Sequence, residues 1–138
     1  MAKQELKLKT ADSEKITINL GPIDLGQIDL LVQEGFYSNR TDLIRTAIRN
    51  QLNQHADIVK QTVARKSLVL GMQHYTRADL EAAREAGERL QIQVLGLASI
   101  ASDVTVELAL ATIESIFVLG SLHASAVLKT ALAPRIHH

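Results

Sequence analysis

The sequence predicts an α+β protein in two parts: a front half of one strand and two short helices, and a back half that is a small α/β repeat-like domain with parallel strands. Three observations carry this. "EKITINL", Glu14 to Leu20, alternates without a fault, Lys15, Thr17 and Asn19 on one face and Ile16, Ile18 and Leu20 on the other. No second strand follows it; a helix-turn-helix pattern begins at once. Finally, the tripeptide Val-Leu-Gly returns three times, at Val69–Gly71, Val94–Gly96 and Val118–Gly120.

Composition narrows the function classes. The chain has 138 residues, with 15 Lys and Arg against 15 Asp and Glu. No global field draws it to nucleic acid or to an anionic membrane, so any nucleic-acid contact must come from a local patch. The absence of cysteine excludes disulfides and thiolate metal sites and suits a reducing compartment. No stretch approaches the ~18 apolar residues of a membrane-spanning helix. The N-terminus is polar, with no apolar core of a signal peptide. A cytoplasmic protein is the expectation. Aromatic residues make up 3% of the chain, too few for a base-stacking platform.

Residues 1–13 read as a flexible N-terminal arm, followed by the strand at 15–20. Gly21-Pro22 breaks the strand and suits a helix start. Apolar residues then recur at helical spacing from Ile23 to Glu34 (Ile23, Ile28, Leu31, Val32), and Gly35 supplies a stop. "FYSNRTD" makes a short turn in which Ser38 and Asn39 are candidate caps, Asn39 and Asp42 having the spacing of a loose capping box. A second helix runs from about Arg40, with Leu43, Ile44, Ala47, Ile48 and Leu52 inward.

One strand and two short helices bury too little surface to stand alone. An unpaired strand edge is also a liability. Both problems vanish if two chains pair their strands antiparallel and interleave their helices, with Ile16, Ile18 and Leu20 facing the shared core. The polar faces then form a two-stranded ribbon of a size that enters the DNA major groove. Free amides at the start of the second helix offer an anion site for a phosphate.

The stretch "KITINLGPIDLGQIDLLVQEGFYSNRTDLIRTAIRNQL" resembles the ribbon-helix-helix DNA-binding domain of the CopG-like type, over about residues 14–53. The resemblance implies an intertwined homodimer that binds double-stranded operator DNA. It implies that Lys15, Thr17 and Asn19 contact bases, and that Ser38, Asn39 and Arg40 anchor phosphates.

Residues 54–66 read as a helical linker, either a separate helix or an extension of the second. The Val-Leu-Gly repeat follows, at spacings of 25 and 24 residues. Each copy precedes a helical stretch: one capped by Thr76 with Leu80, Ala83 and Ala86 inward, one capped by Asp103 or Thr105 with Leu108, Ala109 and Ile113 inward, and one capped by Ser125 with Leu128 and Leu132 inward. Such a period suits stacked strand-loop-helix units with parallel strands and helices on one side. Open end strands in residues 67–138 point to self-association, as a tetramer or higher, or to a protein partner.

No phosphate loop, dinucleotide fingerprint or metal-protease motif is present, so no enzyme, no cofactor, no metal site and no catalytic residue is expected. His74 and His123 stand three residues after their glycines and read as loop positions; His137-His138 reads as the start of a purification tag. The reading is a DNA-binding transcriptional regulator, a repressor acting as a dimer or dimer of dimers. The alternatives are a self-assembling scaffold in which the front half only dimerises, and an antitoxin whose back half grips a toxin.

Overall fold

The computed structural model describes residues 13–138. The expected arm falls almost wholly outside these residues. The rest divides into two compact units, one of Lys15–Thr62 and one that takes in Val63–His138 and Glu14.

The front unit contains α1 (Pro22–Gln33), α2 (Arg40–Gln54) and most of α3 (Ala56–Arg65). Pro22 opens α1, and Asp24 lies in the first turn, where a carboxylate suits the helix dipole. Gly35 ends it in the left-handed region, φ 83°, with its amide on Val32 O and the Phe36 amide on Leu31 O. The helix after α2 is separate: the chain breaks at His55, whose amide bonds to Leu52 O, before α3 begins. Residues 13–21 belong to no strand in the single chain.

None of residues 15–62 is buried in one chain. Ile16, Ile18, Ile23 and Leu52 are more than half exposed, and Leu43 and Ile44 are only half-buried. The helices α1 and α2 touch, but they enclose no core of their own.

The back unit is different. Its four strands, β1 (Val69–Tyr75), β2 (Leu90–Ile100), β3 (Ile113–His123) and β4 (Ile136–His137), form one parallel sheet in chain order. Between them lie α4 (Arg77–Glu85), α5 (Val106–Thr112) and α6 (Ala126–Leu132). Each helix starts on a hydroxyl cap: Thr76 accepts from the Asp79 amide, Thr105 from Leu108 and Ser125 from Leu128. Asp79 returns the bond to the Thr76 amide, closing a capping box that holds its carboxyl below the usual carboxylate value. Thr105, not Asp103, caps α5, because only its hydroxyl reaches the Leu108 amide.

The core lies between the helices and one face of the sheet. Leu80, Ile92, Val94, Leu108, Ile113, Ile116, Leu128 and Leu132 are almost completely buried. Each stabilises the unit by roughly 1.5–3 kcal/mol relative to an exposed position. Ala86, expected inward, is exposed: α4 ends at Glu85, and Ala86 lies past the stripe set by Leu80 and Ala83.

The three Val-Leu-Gly copies are in register across the sheet. Val69, Val94 and Val118 are neighbours, then Leu70, Leu95 and Leu119, then Gly71, Gly96 and Gly120. All three glycines have positive φ, between 122° and 138°. A Cβ on Gly96 would lie 2.2 Å from Gly71 O, and one on Gly120 2.1 Å from Gly96 O. Each carbonyl therefore occupies the space that a side chain on the next strand would need.

The other face of the sheet carries no helix of this unit. Register places Leu70, Leu95 and Leu119 on it as one row, Met72, Leu97 and Ser121 as the next, and His74, Ser99 and His123 as a third. Helices on one side only explain why these parallel strands alternate, with Gln91, Gln93 and Ser99 interrupting the apolar runs.

One histidine expectation is corrected. His74 and His123 are strand residues of β1 and β3, not loop residues, and His74 Nδ1 lies 2.6 Å from Ser99 Oγ. His137 belongs to β4, which pairs Ile136 with Ile116 and His137 with Phe117. This fourth strand is led in by a 3-10 turn, Ala133–Arg135, whose Arg135 Nη1 donates to Leu110 O and Ile113 O, both at 2.7 Å. The guanidinium closes carbonyls at the end of α5.

Candidate nucleic-acid interface

The residues with a potential for DNA lie in the front unit. Lys15, Thr17 and Asn19 are exposed along the extended run before Gly21. So are Ile16 and Ile18, at 73% and 56%, so in a single chain neither face of the alternating stretch is covered. Lysine, threonine and asparagine supply ammonium, hydroxyl and amide groups that can reach base edges in a major groove.

Ser38, Asn39 and Arg40 are brought together at the start of α2, and all three are exposed. Their hydrogen bonds are specific. Asn39 Oδ1 accepts from the Asp42 amide at 2.8 Å, as a helix cap does. The Asp42 carboxylate accepts from the Ser38 amide at 3.0 Å, one residue earlier than a capping box would have it. The first-turn amides of Arg40 and Thr41 have no acceptor within the helix, as at any helix start.

Arg40 is engaged elsewhere. Its Nε and Nη2 meet Oδ1 and Oδ2 of Asp29 at 2.7 and 2.8 Å, a two-pronged pair that ties the start of α2 to α1. Both side chains remain about half exposed. The pair holds the Asp29 carboxyl below its usual value and the guanidinium above its own, in each case first through the hydrogen bonds. The Nη1 group is not used on Asp29. Sequence spacing gives no sign of this partner, because the two residues, eleven positions apart, stand on either side of a turn.

Along α2, a shallow groove of about 280 Å³ is lined by Asn39, Thr41, Asp42, Arg45, Thr46 and Arg49. Arg45 and Arg49 stand one helical turn apart and are exposed. With the capping end of the helix they make a polar strip that could follow a phosphate backbone. In the sequence, their i, i+4 spacing downstream of Asn39 is the signal for such a strip.

Among the described residues, no group of three His, Cys, Asp or Glu side chains is placed to hold a metal ion. No helix among them is long and apolar enough to cross a membrane.

A comparison with protein families matches residues 11–129 to the ribbon-helix-helix transcriptional regulator family. Comparisons with curated proteins and with solved structures give no match. The matched span takes in the alternating stretch, α1, α2 and nearly all of the repeat unit. The chain therefore belongs to the ribbon-helix-helix transcriptional regulator family.

Proposed function

We propose that the protein is a sequence-specific repressor that reads operator DNA in the cytoplasm as a homodimer, with residues 15–20 of two copies forming an antiparallel ribbon. The observation that carries this is the unfinished front unit. Ile16, Ile18, Ile23, Leu30, Ile48 and Leu52 stay exposed in one chain, at 45–77%. Covering such side chains against a second copy would contribute about 2 kcal/mol each. The same pairing turns Lys15, Thr17 and Asn19 of both copies outward as base-contacting residues.

The phosphate anchors in this reading are the Ser38, Asn39 and Arg40 turn with the free amides of α2. Thr17 and Asn19 are short, so one ribbon contacts few bases. Two dimers on adjacent half-sites, joined through residues 67–138, would multiply the specificity.

Fluorescence anisotropy of the full chain on duplex from upstream of its own gene, against a scrambled duplex at the same salt, tests the reading. Binding tighter by about a hundredfold or more to the native duplex supports it. Equal, weak binding to both removes the operator reading and leaves the front half as a dimerisation device on a scaffold.

A further inference from the structure

The repeat is open at both ends, and the two ends are complementary. β1 is an edge strand, and on its free side the glycine slot is empty: a Cβ on Gly71 would meet nothing within 4 Å. Yet Gly71 keeps φ 130°, the conformation that Gly96 and Gly120 adopt with a preceding glycine carbonyl against them. At the other end, β4 covers only Ile116 and Phe117 of β3. Val118 to His123, including Gly120, have no strand partner on that side among the described residues; on the sheet face, Ser121 Oγ donates to the Glu14 carboxylate, which lies 4.0 Å from His123 Nε2.

We propose that the Gly120 edge of one copy receives the Gly71 edge of a second copy, so that β3 and β1 join as parallel neighbours and the sheet continues from chain to chain. The register is dictated by the repeat. Val69 of the second copy falls beside Val118, Gly71 beside Gly120, Met72 beside Ser121 and His74 beside His123. The Gly120 carbonyl fills the empty slot at Gly71. β1 starts at Val69, so the added strand begins where the two-residue β4 stops, and it needs His138 displaced from its place beside Val118.

The flanking grooves match as well. Between β1 and α4 runs a groove of about 530 Å³ bordered by Asp79 and Glu88 and, on the strand side, His74, with the small exposed Ala82 and Ala86 on its helix side. The groove on the β3 side, of about 290 Å³, has the cation Lys129 on its border. The acidic rim of one end meets the basic rim of the other. Two like ends brought together would set carboxylate against carboxylate or cation against cation, which disfavours symmetric edge pairing. The contact is head-to-tail: it leaves a free edge at each end and extends a row of copies unless the rotation closes a ring.

The chain has no cysteine, so introduced ones report the register without background. The full chain is made as M72C, as S121C and as the double variant, and each is oxidised and run denatured without reductant; a disulfide is too short to join the two positions within one chain, which lie two strands apart. A covalent dimer when M72C and S121C are mixed, none from either alone, and a ladder of trimers and larger species from the double variant are expected. Cross-linked M72C alone would overturn the proposal in favour of symmetric pairing. No product in any mixture, with sedimentation showing no species beyond the dimer, would overturn it outright. Adding Gly71→Ala to the double variant should abolish the ladder, since its methyl takes the carbonyl's place; a persisting ladder overturns the glycine seam. A circular dichroism melt confirms that this variant is folded, and if it is not, the two-chain mixing result decides. DNA binding by the ribbon half is read separately by anisotropy, so either reading can fail alone.

Discussion

Arg40 and Asp29 are joined by two parallel hydrogen bonds across the turn between α1 and α2, so the residue expected to anchor a phosphate already holds a carboxylate. The two uses compete for the same guanidinium. In the free chain Asp29 has it, and a phosphate would have to share it through Nη1 or displace the carboxylate.

Replacing Asp29 by Asn therefore has an expected sign. It frees Arg40, tightens binding to DNA of any sequence, and steepens the dependence of log affinity on log salt by about one phosphate contact. Anisotropy titrations over a salt series check this. An unchanged slope with a lowered melting temperature would mean that Arg40 serves only to fix the turn.

The same pair sets a pH dependence. The hydrogen bond from Arg40, aided by its charge and opposed by slight desolvation, holds the Asp29 carboxyl below its ordinary value. The folded pKa is thus below the unfolded one. Whatever stability the pair adds is complete above the ordinary carboxylate range, near pH 4, and fades as pH falls through the folded value. Both groups are half exposed, so salt should weaken the effect. Melts from pH 6 to 2, comparing the native chain with Asp29→Asn, should converge at the acid end.

On the ribbon, changing Thr17 and Asn19 together to Ala should remove discrimination between operator and scrambled duplex, at about 1–3 kcal/mol per lost base contact. The dimer should survive, as neither residue belongs to the apolar face. Ile18→Lys should do the opposite and break the dimer, because a buried unpaired charge is too costly. Sedimentation and anisotropy on both variants decide; a dimeric Ile18→Lys chain would mean the faces are reversed.

In the sheet, Gly96→Ala places a methyl 2.2 Å from the Gly71 carbonyl at an unfavourable φ. Strain and overpacking together should cost about 3 kcal/mol or more. Gly71→Ala meets no atom in the single chain and should cost about 1–2 kcal/mol, from backbone strain alone. Thermal melts of the two variants, with Gly96→Ala lower by roughly 10 °C, check the difference.

Arg135→Met keeps the length of the side chain but removes the donor to Leu110 O and Ile113 O. A loss of about 1–3 kcal/mol is expected, with the fraying confined to the end of α5 and to β4. Amide exchange that is faster at Ile136 and His137 than in β2 would bear this out.

Much of the back unit could be read from residue order, because a repeat advertises itself: three glycines at spacings of 25 and 24 residues mark three strands, and the hydroxyls at Thr76, Thr105 and Ser125 mark the helix starts. The fourth strand could not. Its two residues, Ile136 and His137, have no alternation to read, and their place depends on Arg135 reaching back to α5. His74 and His123 read as loop because polar residues near a turn look alike, whereas they sit on the sheet face that carries no helix of this unit. In the front unit, the helices and the Gly35 stop follow from local chemistry. The Asp29 partner of Arg40 does not, since it depends on how two helices lie together.

Because neighbouring strands meet at a glycine, the sheet can change size only in whole steps. A deletion from one glycine to the next leaves a glycine facing a carbonyl, and the shortened chain can still close its seam. The loops between strands absorb a residue more or less, as spacings of 25 and 24 residues with every glycine in register show. Duplication obeys the same rule. This half of the molecule can therefore gain or shed entire units of about two dozen residues with its glycine seam intact, while the half that would read DNA stays untouched.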